Sequence, residues 1–272
     1  MRRNKRVNHV LSSIQVVDSD QVCLHEDHEP NRLDDTCQSI SQQGMLLHPP
    51  IARRMQDGRY LILDGAHRTA ALQKIGCRRI PVQVVTDADY QLEAWAHLVP
   101  FRPWLNGLLQ HDAFSWKEEQ QGEQAHIATI VYADGSKNYV SASEDGAGST
   151  HRLRLWQQIV QSYSSSYPVR RIPHGMKVLP EADMVCLRYR PYTMEEIETI
   201  VTQGHVMPAG VTRFLISGRL LNLKIPLSLL LDPRFDEQEW EAYRQHWASS
   251  LRLYAETVYL NEKEFMKVPQ QI

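Results

Sequence analysis

Tyr60-Leu61-Ile62-Leu63-Asp64-Gly65-Ala66-His67-Arg68-Thr69-Ala70-Ala71-Leu72 reads as a short apolar strand that reaches Asp-Gly and turns at once into a helix. This is the layout of a phosphate site. Gly65 can take backbone angles closed to other residues and lets a ligand approach the chain. The first amides of the following helix have no acceptor inside it and carry a partial positive charge, which suits an anion. His67 and Arg68 add donors at the same end: an imidazole that donates from either nitrogen, and a planar fork matched to phosphate oxygens. Asp-Gly is also a common turn before ordinary Ala-rich helices, so the flanking sequence has to carry part of the reading.

Downstream, Gly76 is a natural helix stop, and Arg78-Arg79-Ile80-Pro81-Val82-Gln83-Val84-Val85 reads as another strand. Upstream, residues 10–17 have the apolar, β-branched content of a strand. They lead to Cys23-Leu24-His25-Glu26-Asp27-His28-Glu29-Pro30, where all but Leu24 and Pro30 can bind a metal or move a proton. A carboxylate just ahead of a helix also serves simply as a partner for the helix dipole, and both readings stay open at this point. Pro30 leads into a helix with Leu33, Cys37 and Ile40 on one face, Ser39 near its end and Gly44 as its stop. Pro49-Pro50-Ile51-Ala52-Arg53 is extended, and Gln56-Asp57-Gly58 is a hairpin turn into the strand of the opening motif. Residues 1–90 are thus expected to form a small α/β domain.

The remainder, residues 91–272, is expected to form a second, mixed α/β domain. Residues 88–109 predict a helix anchored by Trp95 and Trp104 and broken by Pro100 and Pro103. Asp134-Gly135 between residues 127–132 and 137–142 predicts a hairpin, and the Gly/Ser-rich residues 144–150 a mobile segment. A helix over 152–163 and a strand over 184–189 follow. Thr193 and Glu196 have the spacing of a capping box for a helix over 193–203. Met207-Pro208-Ala209-Gly210-Val211-Thr212-Arg213-Phe214 is a Pro/Gly loop carrying Thr and Arg. In a last helix over 237–258, the stripe Trp240, Tyr243, Trp247 and Leu251 reads as packing.

With 272 residues, 42% hydrophobic and 23% charged, the chain can bury a sizeable core and is not a disordered tail. Lys and Arg total 30 against 32 Asp and Glu. That balance lacks the basic excess of a nucleic-acid binder, leaving only the basic residues 2–6 and the pair Arg170-Arg171 as local patches. DNA is therefore not an expected partner. Four scattered cysteines without a C-x-x-C pair indicate neither a zinc site nor a disulfide framework. No signal peptide or membrane-length apolar run is evident, so the expected location is the cytoplasm.

The order of these elements resembles the ParB/sulfiredoxin nucleotide-binding fold: His25-Glu26, the helix with Ser39-Ile40 and then Gly44, Pro49-Pro50-Ile51, Asp64-Gly65-Ala66-His67-Arg68, Gly76 and Ile80-Pro81-Val82. The resemblance covers about the first third of the chain. Within that superfamily the chain is most similar to the free serine kinases, which phosphorylate L-serine to O-phospho-L-serine and include members in siderophore biosynthesis clusters. Pro208-Ala209-Gly210-Val211-Thr212-Arg213, followed by Arg219 and Pro226, is similar to their C-terminal signature. Sulfiredoxins need a cysteine in the G-x-H-R turn, where Ala66 stands here. Chromosome-partition ParB proteins need a helix-turn-helix after this domain, where residues 88–150 hold prolines, a hairpin and no basic recognition helix.

The resemblance implies ATP or ADP and Mg2+ as cofactors and L-serine as acceptor. It implies that Gly65, Ala66, His67, Arg68 and Thr69 hold the nucleotide phosphates and that Asp64 takes a catalytic part and binds Mg2+. Glu26 is the implied general base, with Glu29 in reserve. Ser39, Thr212 and Arg213 are implied for the carboxylate of serine or the product phosphate, and Trp104 for a wall of the pocket. Members often carry His after the Thr-Arg pair; here Phe214 takes its place. A ParB-like, nucleotide-dependent DNA-binding regulator is the competing reading.

Overall fold

A computed structural model describes residues 11–28, 30–118, 126–142 and 149–252. The basic residues 2–6, Glu29 and most of the Gly/Ser-rich segment lie outside the described residues.

The opening motif folds as its turn chemistry dictates. Strand β5 (Tyr60–Asp64) ends at Gly65, whose φ of 98° is left-handed, and helix α2 (Ala66–Ile75) follows and stops at Gly76, again left-handed at 96°. Around β5 lie β1 (Ile14–Asp18), β2 (Val22–Leu24), β4 (Ile51–Arg54) and β6 (Arg79–Val85), giving a five-stranded mixed sheet in the order β1-β6-β4-β5-β2. β4 and β5 pair antiparallel through the Asp57-Gly58 turn, while β2 runs parallel to β5. Helix α1 (Pro30–Gln43) connects β2 to this hairpin and lies along α2, where Lys74 reaches Asp34.

β5 is apolar throughout because both faces are covered. Leu61 and Leu63 point into one cluster and Ile62 into another. The Ile62 side is closed by residues from the far end of the chain: Leu220, Leu223 and Ile225, helix α6 (Leu227–Leu231), and Trp240 and Trp247 of α7 (Glu237–Ser250). The short strand β14 (Ile225–Pro226) pairs with β3 (Met45–Leu46) and pins that return. The tryptophan stripe is thus packing, as its spacing predicts.

The Leu61 and Leu63 side faces a second, seven-stranded sheet. Its centre is β7 (Tyr90–Pro100), eleven residues of strand where the sequence predicts a helix. Tyr90, Leu92, Ala94, Ala96 and Leu98 alternate with Gln91, Glu93, Trp95, His97 and Val99. The first set is apolar, while the second holds Gln91, Glu93 and His97 interrupted by Trp95 and Val99; residues 96–99 are buried on both faces, which blurs the period of two there. The helix begins only after Pro100, as the short α3 (Pro103–Leu109) with proline at its first position. β8 (Phe114–Lys117), β9 (His126–Val131), β10 (Lys137–Ala142), β11 (Arg170–Pro173) and β12 (Met184–Tyr189) complete the order β11-β7-β12-β9-β10-β8. The β9–β10 hairpin forms as expected.

Helices α4 (Ser149–Ser164) and α5 (Met194–Thr202) supply Trp156, Ile159, Ile197 and Ile200 to the larger cluster. The α5 capping box forms: Thr193 accepts from the Glu196 amide, and the Glu196 carboxylate accepts from that of Thr193. Strand β13 (Thr212–Ile216) pairs with the first half of β7. This pairing carries the Pro/Gly loop and its Thr-Arg pair back onto the N-terminal sheet. Among the described residues no helix is long and apolar enough to cross a membrane, and none of the four cysteines is in a disulfide.

Candidate active site

Three remote segments meet in one cleft of about 570 Å³ between the two sheets. The end of β2 brings His25 and Glu26, the β5–α2 turn brings Asp64 to Arg68, and the loop into β13 brings Ala209, Gly210, Thr212, Arg213 and Phe214. Backbone pairing fixes the first segment to the third: Met207 donates to the His25 carbonyl and Asp27 to that of Met207, each at 2.8 Å.

Glu26 projects into the cleft with Oε2 accepting from the Gly210 amide at 2.9 Å. Beside it, His25 is buried. Its Nδ1 lies 2.5 Å from the Ile62 carbonyl and its Nε2 2.7 Å from Thr212 Oγ1. A carbonyl only accepts, so Nδ1 carries a proton and donates to Ile62, and in the tautomer with that proton alone Nε2 accepts a hydrogen bond from the Thr212 hydroxyl. The Phe214 and His25 rings pack in a T-shaped pair with centroids 5.2 Å apart.

Asp64 is held by two guanidiniums, Arg68 Nη2 and Arg219 Nη1, both 2.8 Å from Oδ2. Burial pushes the Asp64 carboxyl up, but the two arginines outweigh it and hold the pKa below the usual carboxylate range. Arg68 also donates to the His48 carbonyl at 2.8 Å. A Cβ at residue 65 would lie 2.8 Å from the Arg68 guanidinium, so a side chain there would shift Arg68, and the φ of 98° itself calls for glycine. Arg213 is paired with Glu93 at 2.8 Å and lies over the Trp95 ring at 4.7 Å. Arg32, Arg68, Arg171, Arg213 and Arg219 line the cleft against the carboxylates of Glu26 and Asp64. Such an excess of arginine suits a polyanion such as a nucleotide phosphate chain.

Eight expected site residues therefore share the cleft: Glu26, Asp64, Gly65, Ala66, His67, Arg68, Thr212 and Arg213. Three do not. Thr69 is fully buried under α2, because the helical turn directs position 69 at the sheet, and its hydroxyl faces no ligand space. Ser39 sits one turn from the end of α1 in a neighbouring groove, beyond Arg32 and Arg68, and accepts from Gln43. Trp104 is buried against Tyr163, with its indole N–H on the Pro100 carbonyl; the tryptophan at the cleft is Trp95. His25, Gly210 and Arg219, which the sequence offers only as parts of the family motifs, and Arg171 join the site through tertiary contacts that no local pattern encodes.

The ParB N-terminal domain family matches residues 2–97. Across nearly the whole chain, the ATP-dependent L-serine kinase SbnI of Staphylococcus aureus is 36% identical over 259 residues, 94% of this chain and 100% of that protein. The chain belongs to the free L-serine kinase family. The solved structure of C-terminally truncated SbnI from Staphylococcus aureus superposes on this family member with a TM-score of 0.77 at 34% identity, covering 89% of this chain and 99% of that one. The ADP-dependent L-serine kinase SerK of Thermococcus kodakarensis is 24% identical, over 78% of this chain and 88% of its own. The serine kinase likeness thus extends through the Thr212-Arg213 loop, far beyond the ParB-like third.

Among the described residues no three His, Cys, Asp or Glu side chains cluster as a metal cage. The two cleft carboxylates, Asp64 and Glu26, nonetheless suit Mg2+, which keeps several waters and commonly takes one or two carboxylates plus phosphate oxygens.

Proposed function

We propose that this chain transfers a phosphoryl group from ATP or ADP to the hydroxyl of free L-serine, giving O-phospho-L-serine. The observation that carries the reading is the meeting of Glu26, the Asp64-Gly65-Ala66-His67-Arg68 turn and Thr212-Arg213 in one arginine-rich cleft. Phosphoryl transfer needs little covalent help from the protein. It needs the phosphates held, their charge neutralised and the acceptor hydroxyl aligned.

In this reading the first-turn amides of α2, with His67 and Arg68, hold the phosphate chain. Arg219 shares that charge, since it reaches the same carboxylate as Arg68. Glu26 takes the serine hydroxyl proton; one of its oxygens is already fixed by Gly210, so the carboxylate is oriented before substrate arrives. Arg213 faces the carboxylate of serine, and Thr212 lines the cleft beside it with its hydroxyl bonded to His25. Mg2+, held by Asp64, would supply charge neutralisation to the phosphates. The competing reading, a ParB-like DNA-binding regulator, is supported only by the N-terminal third.

The test is incubation with L-serine, Mg2+ and ATP or ADP, with O-phosphoserine followed by phosphorus NMR. Product from at least one donor is expected, and a folded protein giving none with either sinks the reading. Glu26→Gln should lose turnover by about 100-fold or more while still binding nucleotide. Unchanged turnover would remove Glu26 from the mechanism.

A further inference from the structure

His97 lies on β7, 2% exposed and outside the lining of the cleft, and takes no part in the chemistry proposed above. Its Nε2 is 3.0 Å from the Gly210 carbonyl, and its Nδ1 is 2.7 Å from the Tyr163 hydroxyl, which is itself 2.5 Å from that of Tyr189. Burial pushes the His97 pKa down to about 4, so the ring is neutral at pH 7. A neutral imidazole carries one proton, and a carbonyl can only accept. The proton is therefore on Nε2, Nδ1 accepts from Tyr163, and Tyr163 accepts from Tyr189. All three hydrogen bonds of this buried chain point toward Gly210.

Gly210 is the residue whose amide holds Glu26 at 2.9 Å. Its φ of 70° is left-handed, a region that glycine enters without steric cost. The Gly210 carbonyl lies in the peptide plane shared with Val211 and the Gly210 N–H in the plane shared with Ala209, so a grip on the carbonyl fixes one side of the Cα and limits the N–H through the φ and ψ of residue 210; the Trp95 amide holds the Val211 carbonyl at 2.9 Å on the same side. We propose that His97 is a positioning residue for the phosphoryl-transfer base: by holding the Gly210 carbonyl, it aims the Gly210 N–H that orients Glu26. The inference rests on the reading of Glu26 as the base.

The experiment compares His97→Leu with His97→Gln, whose amide can donate to Gly210 and accept from Tyr163. His97→Leu should lower kcat by about 10- to 100-fold, the scale of a misplaced catalytic group, with nucleotide affinity and the KM for serine within about twofold. His97→Gln should recover most of that turnover. Equal losses in both variants, or an unchanged kcat in a folded His97→Leu protein, overturn the proposal. If His97→Leu does not fold, Tyr163→Phe decides, because it removes the donor that fixes the His97 tautomer. A fall in kcat at unchanged nucleotide affinity supports the proposal, and an unchanged kcat overturns it. Glu26→Gln run alongside separates the two failures: if it keeps turnover, the base assignment is wrong, and if it abolishes turnover while the His97 variants stay active, only the positioning inference falls.

Discussion

His25 Nε2 and Thr212 Oγ1 lie 2.7 Å apart in the interior, joining residues 187 positions apart in sequence at the seam between the two sheets. Both side chains are buried at the wall of the cleft, so the bond is shielded from bulk solvent. Thr212→Val keeps the shape and removes the donor. It should cost about 1–3 kcal/mol, the penalty for an unsatisfied buried acceptor. Thr212→Ser should return most of it. Urea denaturation of the two variants checks the prediction, and equal stabilities would mean that the bond carries no weight.

Arg219 and Arg68 share one oxygen of Asp64, and their combined field depresses its pKa. A carboxyl with a depressed folded-state pKa contributes stability above its unfolded value, near 4. That contribution is lost as pH falls through the lower folded value. Arg219→Ala shrinks the depression. The variant should therefore be less stable than the parent at pH 7, and the difference should narrow as pH falls below about 4 and through the lowered folded-state value of Asp64. Urea midpoints across that range read it out. If Arg219 also meets the phosphates, the variant's nucleotide Kd should weaken by about tenfold, or ~1.4 kcal/mol, by calorimetric titration.

Gly210 supports a steric prediction. A Cβ there would lie 2.1 Å from Arg171 Cζ, and φ is already left-handed at 70°. Gly210→Ala should cost about 1–2 kcal/mol from the backbone alone and drive the Arg171 guanidinium out of the cleft. The double variant Gly210→Ala with Arg171→Ala should regain the part due to the clash and not the part due to φ. A double-mutant cycle on stability measures the split, and strict additivity would show that Arg171 moves aside at no cost.

The fold was legible where the sequence speaks locally. Gly65 and Gly76 bracket α2 because both positions need a left-handed backbone, and Thr193 with Glu196 starts α5 by a bond pattern confined to four residues. β7 was illegible for the opposite reason: Trp95 and Val99 interrupt the polar set of its alternation, residues 96–99 are buried on both faces, and Ala94 and Ala96 suit a helix equally well. The same divide runs through the site. The Asp64 turn and the Thr212-Arg213 pair could be read from motif and resemblance. The Arg219–Asp64 and Gly210–Glu26 bonds join positions 155 and 184 apart, and no local pattern encodes them. Ser39 and Trp104 carried the right chemistry for a pocket, but helix rotation and core packing turned them elsewhere.

Trp95 and Trp104 turn that last point into a measurement. Trp104 is buried beside Tyr163 at a centroid distance of 5.1 Å, whereas Trp95 lines the cleft under the Arg213 guanidinium at 4.7 Å. Trp104→Ala should remove about 3–5 kcal/mol of stability, the range for deleting a buried aromatic, while the folded fraction keeps its KM for serine. Trp95→Leu should behave in the reverse way. It leaves the core intact and frees Arg213 from a cation–π contact worth about 0.5–2 kcal/mol. If Arg213 binds the serine carboxylate, the KM for serine should then rise by roughly 2- to 30-fold, the same energy range expressed as a ratio. A Trp104 variant that raises KM without losing stability would reverse the two roles and return Trp104 to the pocket.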